Sequence, residues 1–423
     1  MTWVRFRKRT ASLLIGAVLV FLMGTNAQAG WLLVIAAVFV GAVLTGALLP
    51  VLGLRGLHAE LLAPEEADQG EASYVEVHLR GPRHSVRWGV RVIDDHLAAT
   101  ETFVPVIRAQ ERVEVTTARA PTRRGRHTTT HVQVRTAAPF GVAERRRRLP
   151  VEASTLVLPH VVPLGTLPFV EPVGTREAAI HTLPRRGGGP EYLGIREYRV
   201  GDSMRHVHWP STARHGSVMV REFEEERTRR VVIVVDTERD ADPHAGSDAE
   251  RDADATPLDR CCTVAASIAV AALAHGHGAR LVAAMPGGGI DIVSRADERD
   301  VLRWLAELTP SGRPFAEVIA ALGSDVLRGA ETVILTMPAW GGAGAGLAEV
   351  VAGLGVRVPR VVAVPVGASS SLGDRDLEGT AAALREAGAQ SLAWPHGRDL
   401  AVSLGLAPEE PAASLGLAQG GAG

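Results

Sequence analysis

The chain has 423 residues, with 45 Lys plus Arg against 47 Asp plus Glu and a formal net charge of −2. That length holds two or three domains, and the near balance of charge excludes electrostatic capture of nucleic acid as an organising purpose. Lys8 is the only lysine, so arginine stands wherever a cation is wanted and arginine clusters carry little signal by themselves. Cys261 and Cys262 sit side by side in an apolar run. Two cysteines make neither a disulfide framework nor a zinc spacing, and they read as small core residues.

Arg5, Arg7, Lys8 and Arg9 precede an apolar run from Ala11 to Met23, and a second uncharged run extends from Trp31 to Leu54. The second is long enough to cross a hydrocarbon layer of about 30 Å, and the two together predict a transmembrane helical hairpin over 1–56. The positive cluster places the N-terminus in the cytoplasm, and a hairpin returns the bulk of the chain there, as a multi-pass protein of the cell membrane. A secretory signal is the competing reading, because Ala27-Gln28-Ala29 imitates a cleavage site. Cleavage there would leave one crossing and put the bulk of the chain outside.

From residue 71 to about 160 the pattern has a period of two: Val75, Val77 and Leu79; Val86, Trp88, Val90 and Val92; Val113 and Val115; Val132 and Val134. Turns at Gly81-Pro82, Asp94-Asp95 and Pro121 separate these runs, which predicts an antiparallel β-sandwich of about seven strands with no evident chemistry. Arg145 to Arg148 follow as a basic edge strand that discourages sheet pairing, or as a juxtamembrane patch on anionic lipid. Pro159 to Pro184 reads as a linker.

The segment 161–228 carries the densest pattern, Gly187 to Glu226, in which arginines, acids, tyrosines and a tryptophan alternate. Arginine forks pair with carboxylates and stack on aromatic rings, so this composition points to an ordered polar ribbon. The candidate residues are Arg196, Glu197, Tyr198, Asp202, Arg205, His208, Trp209 and Arg214, serving either as partner contacts or as an internal clasp. His206 and His208 share a face only if the segment is extended, which makes them a weak catalytic or metal pair. No Walker, H-E-x-x-H or G-x-S-x-G motif is present.

The run G-G-G-P-E-Y-x-G-I-R-E-Y-x-x-G-D-S-x-R-x-V-H-W-x-S-T-A-R, ending in V-R-E-F-E-E-E, resembles the signature of the domain of unknown function 58 family. Upstream, P-T-R-R-G-R-H and A-A-P-F-G-V are similar to segments of the same family. The resemblance implies two retained membrane helices, a C-terminal half like a von Willebrand factor A domain, and a MoxR-type AAA+ ATPase as partner in the assembly or maturation of other complexes.

Over 229–403, strands are predicted at Val231–Val235, Arg280–Met285, Thr332–Thr336, Val361–Val366 and Ser391–Trp394. Helical patterns cover Leu258–Ala274, Asp297–Leu308, Phe315–Leu327 and Glu378–Ala387, and the alternation predicts a parallel doubly wound α/β sheet. The helix bearing Cys261 is apolar nearly all round and reads as a central buried helix, and His275 and His277 mark its C-terminus. Asp236 ends the first strand, where open α/β sheets bind ligands. In von Willebrand A domains this position begins an Asp-x-Ser-x-Ser metal motif; here the matching run is Asp236-Thr237-Glu238-Arg239-Asp240. Carboxylates Asp236, Glu238 and Asp240 suit a hard cation such as Mg²⁺, but the later strand ends offer no completing acid, so no cofactor is the favoured expectation.

Residues 237–256 are polar and acid-rich and predict a mobile loop, and 404–423 a disordered tail. The whole reads as a multidomain, membrane-anchored, non-enzymatic interaction scaffold. A metal-dependent hydrolase is the competing reading.

Overall fold

The computed structural model describes residues 4–6, 8–165, 167–170, 192–198, 207–223, 230–238, 256–285, 290–295, 297–339, 344–367 and 373–407. Most of the linker, the acid-rich insertion beyond Glu238 and the tail beyond Ala407 lie outside these residues. The chain divides into two compact units near His160.

In the first unit, β1 (Val4–Phe6) leads into helix α1 (Lys8–Asn26), and α2 (Gly30–Gly53) packs against α1 along its length. The sequence is uncharged throughout α2, and Gly30–Pro50 is long and apolar enough to cross a membrane. Only 17% of that window is buried. The helix Pro257–Ala274 is also long and apolar, but it is 83% buried, so it is a core helix.

Below the helix pair lie β2 (His58–Leu62), β3 (Glu66–Asp68), β4 (Ser73–Arg80), β5 (Arg87–Asp94), β6 (Thr100–Ile107), β7 (Arg112–Arg119), β8 (Gly125–Thr136) and β9 (Ala143–Leu158). They form a sheet in the order β1-β9-β8-β5-β6, with β3 also paired to β9, and a three-stranded sheet β2-β4-β7. Val75, Val77 and Leu79 from one sheet meet Val90, Val92, Val132 and Val134 from the other in a shared apolar core. The period-two pattern of these strands is the sequence trace of that core.

One sequence expectation is corrected here. Val4–Phe6 is a strand, paired antiparallel to β9 with Val4 opposite Arg145. The four-arginine run is therefore no simple open edge: β1 covers its start, and Arg146, Arg147 and Arg148 stand opposite Arg135, Val134 and Gln133 of β8.

The second unit is an α/β layer structure. Its sheet contains β12 (Arg230–Val235), β13 (Gly278–Ala284), β14 (Ile290–Arg295), β15 (Ala330–Pro338), β16 (Arg360–Val366) and β17 (Gln390–Ser391), in the order β14-β13-β12-β15-β16-β17. The continuous β-branched run of β12 is buried because helices flank both faces of such a sheet. The sheet is mixed rather than all parallel, since β14 runs antiparallel to β13.

Helix α4 (Pro257–Ala274) starts at a capping box between Thr256 and Asp259 and buries both cysteines, neither in a disulfide. Helix Gly344–Arg357, which the sequence patterns missed, precedes β16. The predicted helix Phe315–Leu327 is two short ones, Phe315–Ala320 and Ser324–Leu327, because extended Gly323 interrupts it. The last predicted strand shrinks to Gln390–Ser391 plus a bridge from Trp394 to Val366.

Candidate functional site

The ribbon read from the sequence folds as a two-stranded hairpin with a short helix in its connection. β10 (Tyr192–Glu197) pairs antiparallel with β11 (Met219–Phe223), so that Arg196 stands opposite Val220 and Glu197 opposite Met219. The register shifts between Tyr192 and Gly194. Helix α3 (Trp209–His215) has Pro210 in its first turn and ends at Gly216, whose left-handed φ of 73° suits glycine.

Side chains and backbone stitch this helix to the strand. The His208 amide donates to Met219 O at 2.8 Å, and the Met219 amide donates to Thr212 Oγ1 at 3.0 Å. His208 Nδ1 lies 2.8 Å from Ser211 Oγ, and Ser217 Oγ donates to Glu197 Oε1 at 2.9 Å. Val207 bridges to Val220, and both are buried. The small residues of the motif thus pin the excursion, while its large ones face outward: Trp209 is 65% exposed, and Tyr198 and Val218 are partly exposed on paired backbone positions. Arg214 and Glu197 are exposed as well. Of the expected residues, Asp202, Arg205 and His206 lie outside the described residues, as does the side chain of Arg196.

The second expected site, Asp236, is at the C-terminal end of β12. Strand order reverses between β12 and β15, and in open α/β sheets ligands bind beyond the strand ends at such a point. Asp236 is buried; its amide donates to Thr336 O at 2.9 Å, and its Oδ1 accepts from the Glu238 amide at 2.8 Å. Thr237 Oγ1 donates to Ala284 O at 2.8 Å, and Glu238 Oε2 accepts from the Phe315 amide at 3.2 Å. These groups hold the turn after β12 against its neighbours. Asp240 lies outside the described residues, among which no group of three or more His, Cys, Asp or Glu side chains could hold a metal ion.

Residues 194–336, from the hairpin to β15, match the sequence model of "Protein of unknown function DUF58". The chain is similar to that family over this segment. No curated protein matches the chain significantly. Among solved structures, the solution NMR structure of the CARDB domain of PF1109 from Pyrococcus furiosus is similar at 16% identity and a TM-score of 0.17, over 24% of this chain and 94% of that one. The crystal structure of the same domain in complex with di-metal ions is similar at 18% identity and a TM-score of 0.17, over 24% of this chain and 87% of that one. At such scores neither likeness bears on the fold or the ligands of this chain.

Outside the DUF58 segment the sandwich holds a polar cluster that sequence reasoning missed. Asp94 and Arg119 are both buried and paired through two bonds, Arg119 Nη1 donating to Asp94 Oδ1 at 2.6 Å, while Nη1 also donates to His96 O at 2.7 Å. His96 is 1% exposed, with its ring nitrogens 3.1 Å from Thr129 Oγ1 and 2.9 Å from Thr155 Oγ1. Burial lowers the His96 pKa, against the opposing pull of Asp94. The only sequence trace was Asp94-Asp95-His96 closing a strand, which reads equally well as a turn. On the solvent side of the same sheet, hydrogen bonds from Arg135 and Arg91 hold Glu101 at about 2.

Proposed function

We propose that this protein is a membrane-anchored, non-enzymatic interaction scaffold whose DUF58 hairpin docks a protein partner. The observation that carries the reading is Trp209, a large indole left exposed on a helix that polar residues pin in place. Exposed aromatic groups beside an arginine on an ordered scaffold are the composition of an interface hot spot. Tyr198, Val218 and Arg214 extend that surface, and Glu197, Arg196, His208, Asp202 and Arg205 complete the set read from the sequence.

The apolar helix pair supports anchoring as a multi-pass protein, and the basic residues before it support a cytoplasmic orientation. The α/β unit is read as von Willebrand factor A-like, on the strength of its mostly parallel sheet and of Asp236 at the end of its first strand. The family resemblance nominates a MoxR-type AAA+ ATPase as the partner.

The test is photocrosslinking in native membranes from positions 209 and 214 of the full chain. Adducts with a MoxR-type ATPase are expected from both positions, and those from position 214 should disappear when Trp209→Ala is added. A protein that crosslinks only to itself or to lipid at both positions is not a scaffold of this kind.

A further inference from the structure

The end of the sandwich beside the helix pair has the composition of a surface seated in a bilayer. At about 1.5 Å per residue, the apolar window Gly30–Pro50 is as long as the hydrocarbon layer is thick, about 30 Å. Its final turns are not free. A Cβ on Gly46 would lie 2.8 Å from Val142 Cγ2 and 3.6 Å from Phe140 Cβ, and one on Gly53 would lie 3.3 Å from Thr136 Cγ2. From the other helix, Thr10 Oγ1 donates to Val142 O at 2.6 Å. The loop between β8 and β9 is therefore level with Gly46, about 6 Å of helix rise inside the end of the apolar window.

Phe140 is 56% exposed at that level. Close by, the Cβ position of Gly89 is 3.1 Å from Ala138 Cβ and 3.9 Å from Phe103 Cε2, and both Phe103 and Trp88 are exposed. Aromatic side chains that would be a liability in water are what a membrane interface collects.

The next layer outward is cationic. Arg147 donates to Leu54 O at 2.6 Å, and Arg87 donates to Arg55 O through Nη2 at 2.7 Å. Exposed Arg80 and Arg83, with His58, Gln110 and Gly56, line an open depression of about 670 Å³ whose lining contains no acid. Gly56 follows Pro50 by a few residues, which puts the depression in the headgroup layer, about 5–8 Å thick.

We propose that this face is a lipid-binding surface: Phe140 inserts among acyl chains, and the Arg80–Arg83 depression takes the phosphate of an anionic phospholipid headgroup. The proposal rests on the membrane crossing by α2 and extends it to the sandwich.

The experiment uses the full chain in phosphatidylcholine vesicles containing phosphatidylglycerol, with a photoreactive benzoyl-phenylalanine in place of Leu44, Phe140, Arg83 or Tyr74. Leu44 reports the crossing itself. Tyr74 is 68% exposed and stands six residues from Arg80 along β4, about 20 Å away. Lipid adducts at 44, 140 and 83 but not at 74 are expected. Adducts at 44 without 140 overturn the seating and leave the crossing intact, and no adduct at 44 overturns the crossing. In native mass spectrometry, R80E and R83E should each lower retained phosphatidylglycerol about fivefold. Unchanged retention in a folded double variant overturns the headgroup assignment.

Discussion

The sandwich and the DUF58 hairpin use the same residue types in opposite ways. In the sandwich, Arg119, Asp94 and His96 are sealed inside and bonded to one another and to Thr129 and Thr155. In the hairpin, Glu197, Tyr198, Trp209 and Arg214 are exposed while small residues, Ser211, Thr212 and Ser217, make the holding bonds. Arginine and acid are thus buried together in one unit and exposed in the other. Burial, not composition, separates the two.

The largest effect that can test this contrast is loss of one member of the sealed pair. Arg119→Met strands the Asp94 carboxylate and should cost about 3–5 kcal/mol in chemical denaturation of the full chain in detergent, whereas Arg119→Met with Asp94→Leu should restore most of it. A single variant that melts like the parent would show that the pair is not a clasp. Trp209→Ala predicts the reverse profile: stability within about 0.5 kcal/mol of the parent, and partner affinity weaker by about 2 kcal/mol or more in a binding titration. Gly216→Ala sharpens the comparison from the scaffold side. Its φ of 73° should cost a side chain about 1–2 kcal/mol, and the resulting shift of α3 should weaken partner binding as well.

Smaller effects come from pH. The folded pKa of His96 is lowered below its ordinary 6.5, so the unfolded chain binds more protons than the folded one between the two values. The contribution of neutral His96 is complete above about 6.5 and declines as pH falls toward the depressed folded value. Denaturation midpoints across pH 5–8 should show that slope and lose it in His96→Gln. Glu101, held at about 2 by Arg135 and Arg91, contributes above its unfolded value of 4.5, and that contribution is lost as pH falls from 4.5 toward 2. It faces solvent, so Glu101→Gln should move the acid midpoint least, and less still at high salt.

Much of the second unit was legible in its sequence. Val231–Val235, Val361–Val366 and the helix around Cys261 lie within a residue of where the patterns place them, because a buried β-branched run or an all-round apolar helix has few alternatives. Glycine hid the rest. Gly344–Arg357 is a helix built from a glycine-rich stretch of poor propensity, and its structure comes from Leu347, Val351 and Leu354 packing into the core. β14 escaped because Ile290–Arg295 pairs antiparallel at the edge of a sheet whose other strands set a parallel expectation.

In the site, motif spacing located the hairpin but was silent on exposure, which depends on contacts made across the fold. The acids after β12 showed a similar gap. Asp236 and Glu238 were readable as carboxylates at a strand end, yet not as acceptors for the Glu238 and Phe315 amides.

Both ends of the helix pair are fastened to one sheet system: β1 and Thr10 tie the entry to β9 and its loop, while Leu54 and Leu57 bury the exit in the sandwich core. A module hung from one strand of chain could swivel freely about its stem. A mount with two anchorage points cannot, so in a bilayer the sandwich would keep a fixed compass heading relative to its own helices, and any tilt of that pair would be transmitted to the sandwich as a tilt of the whole body.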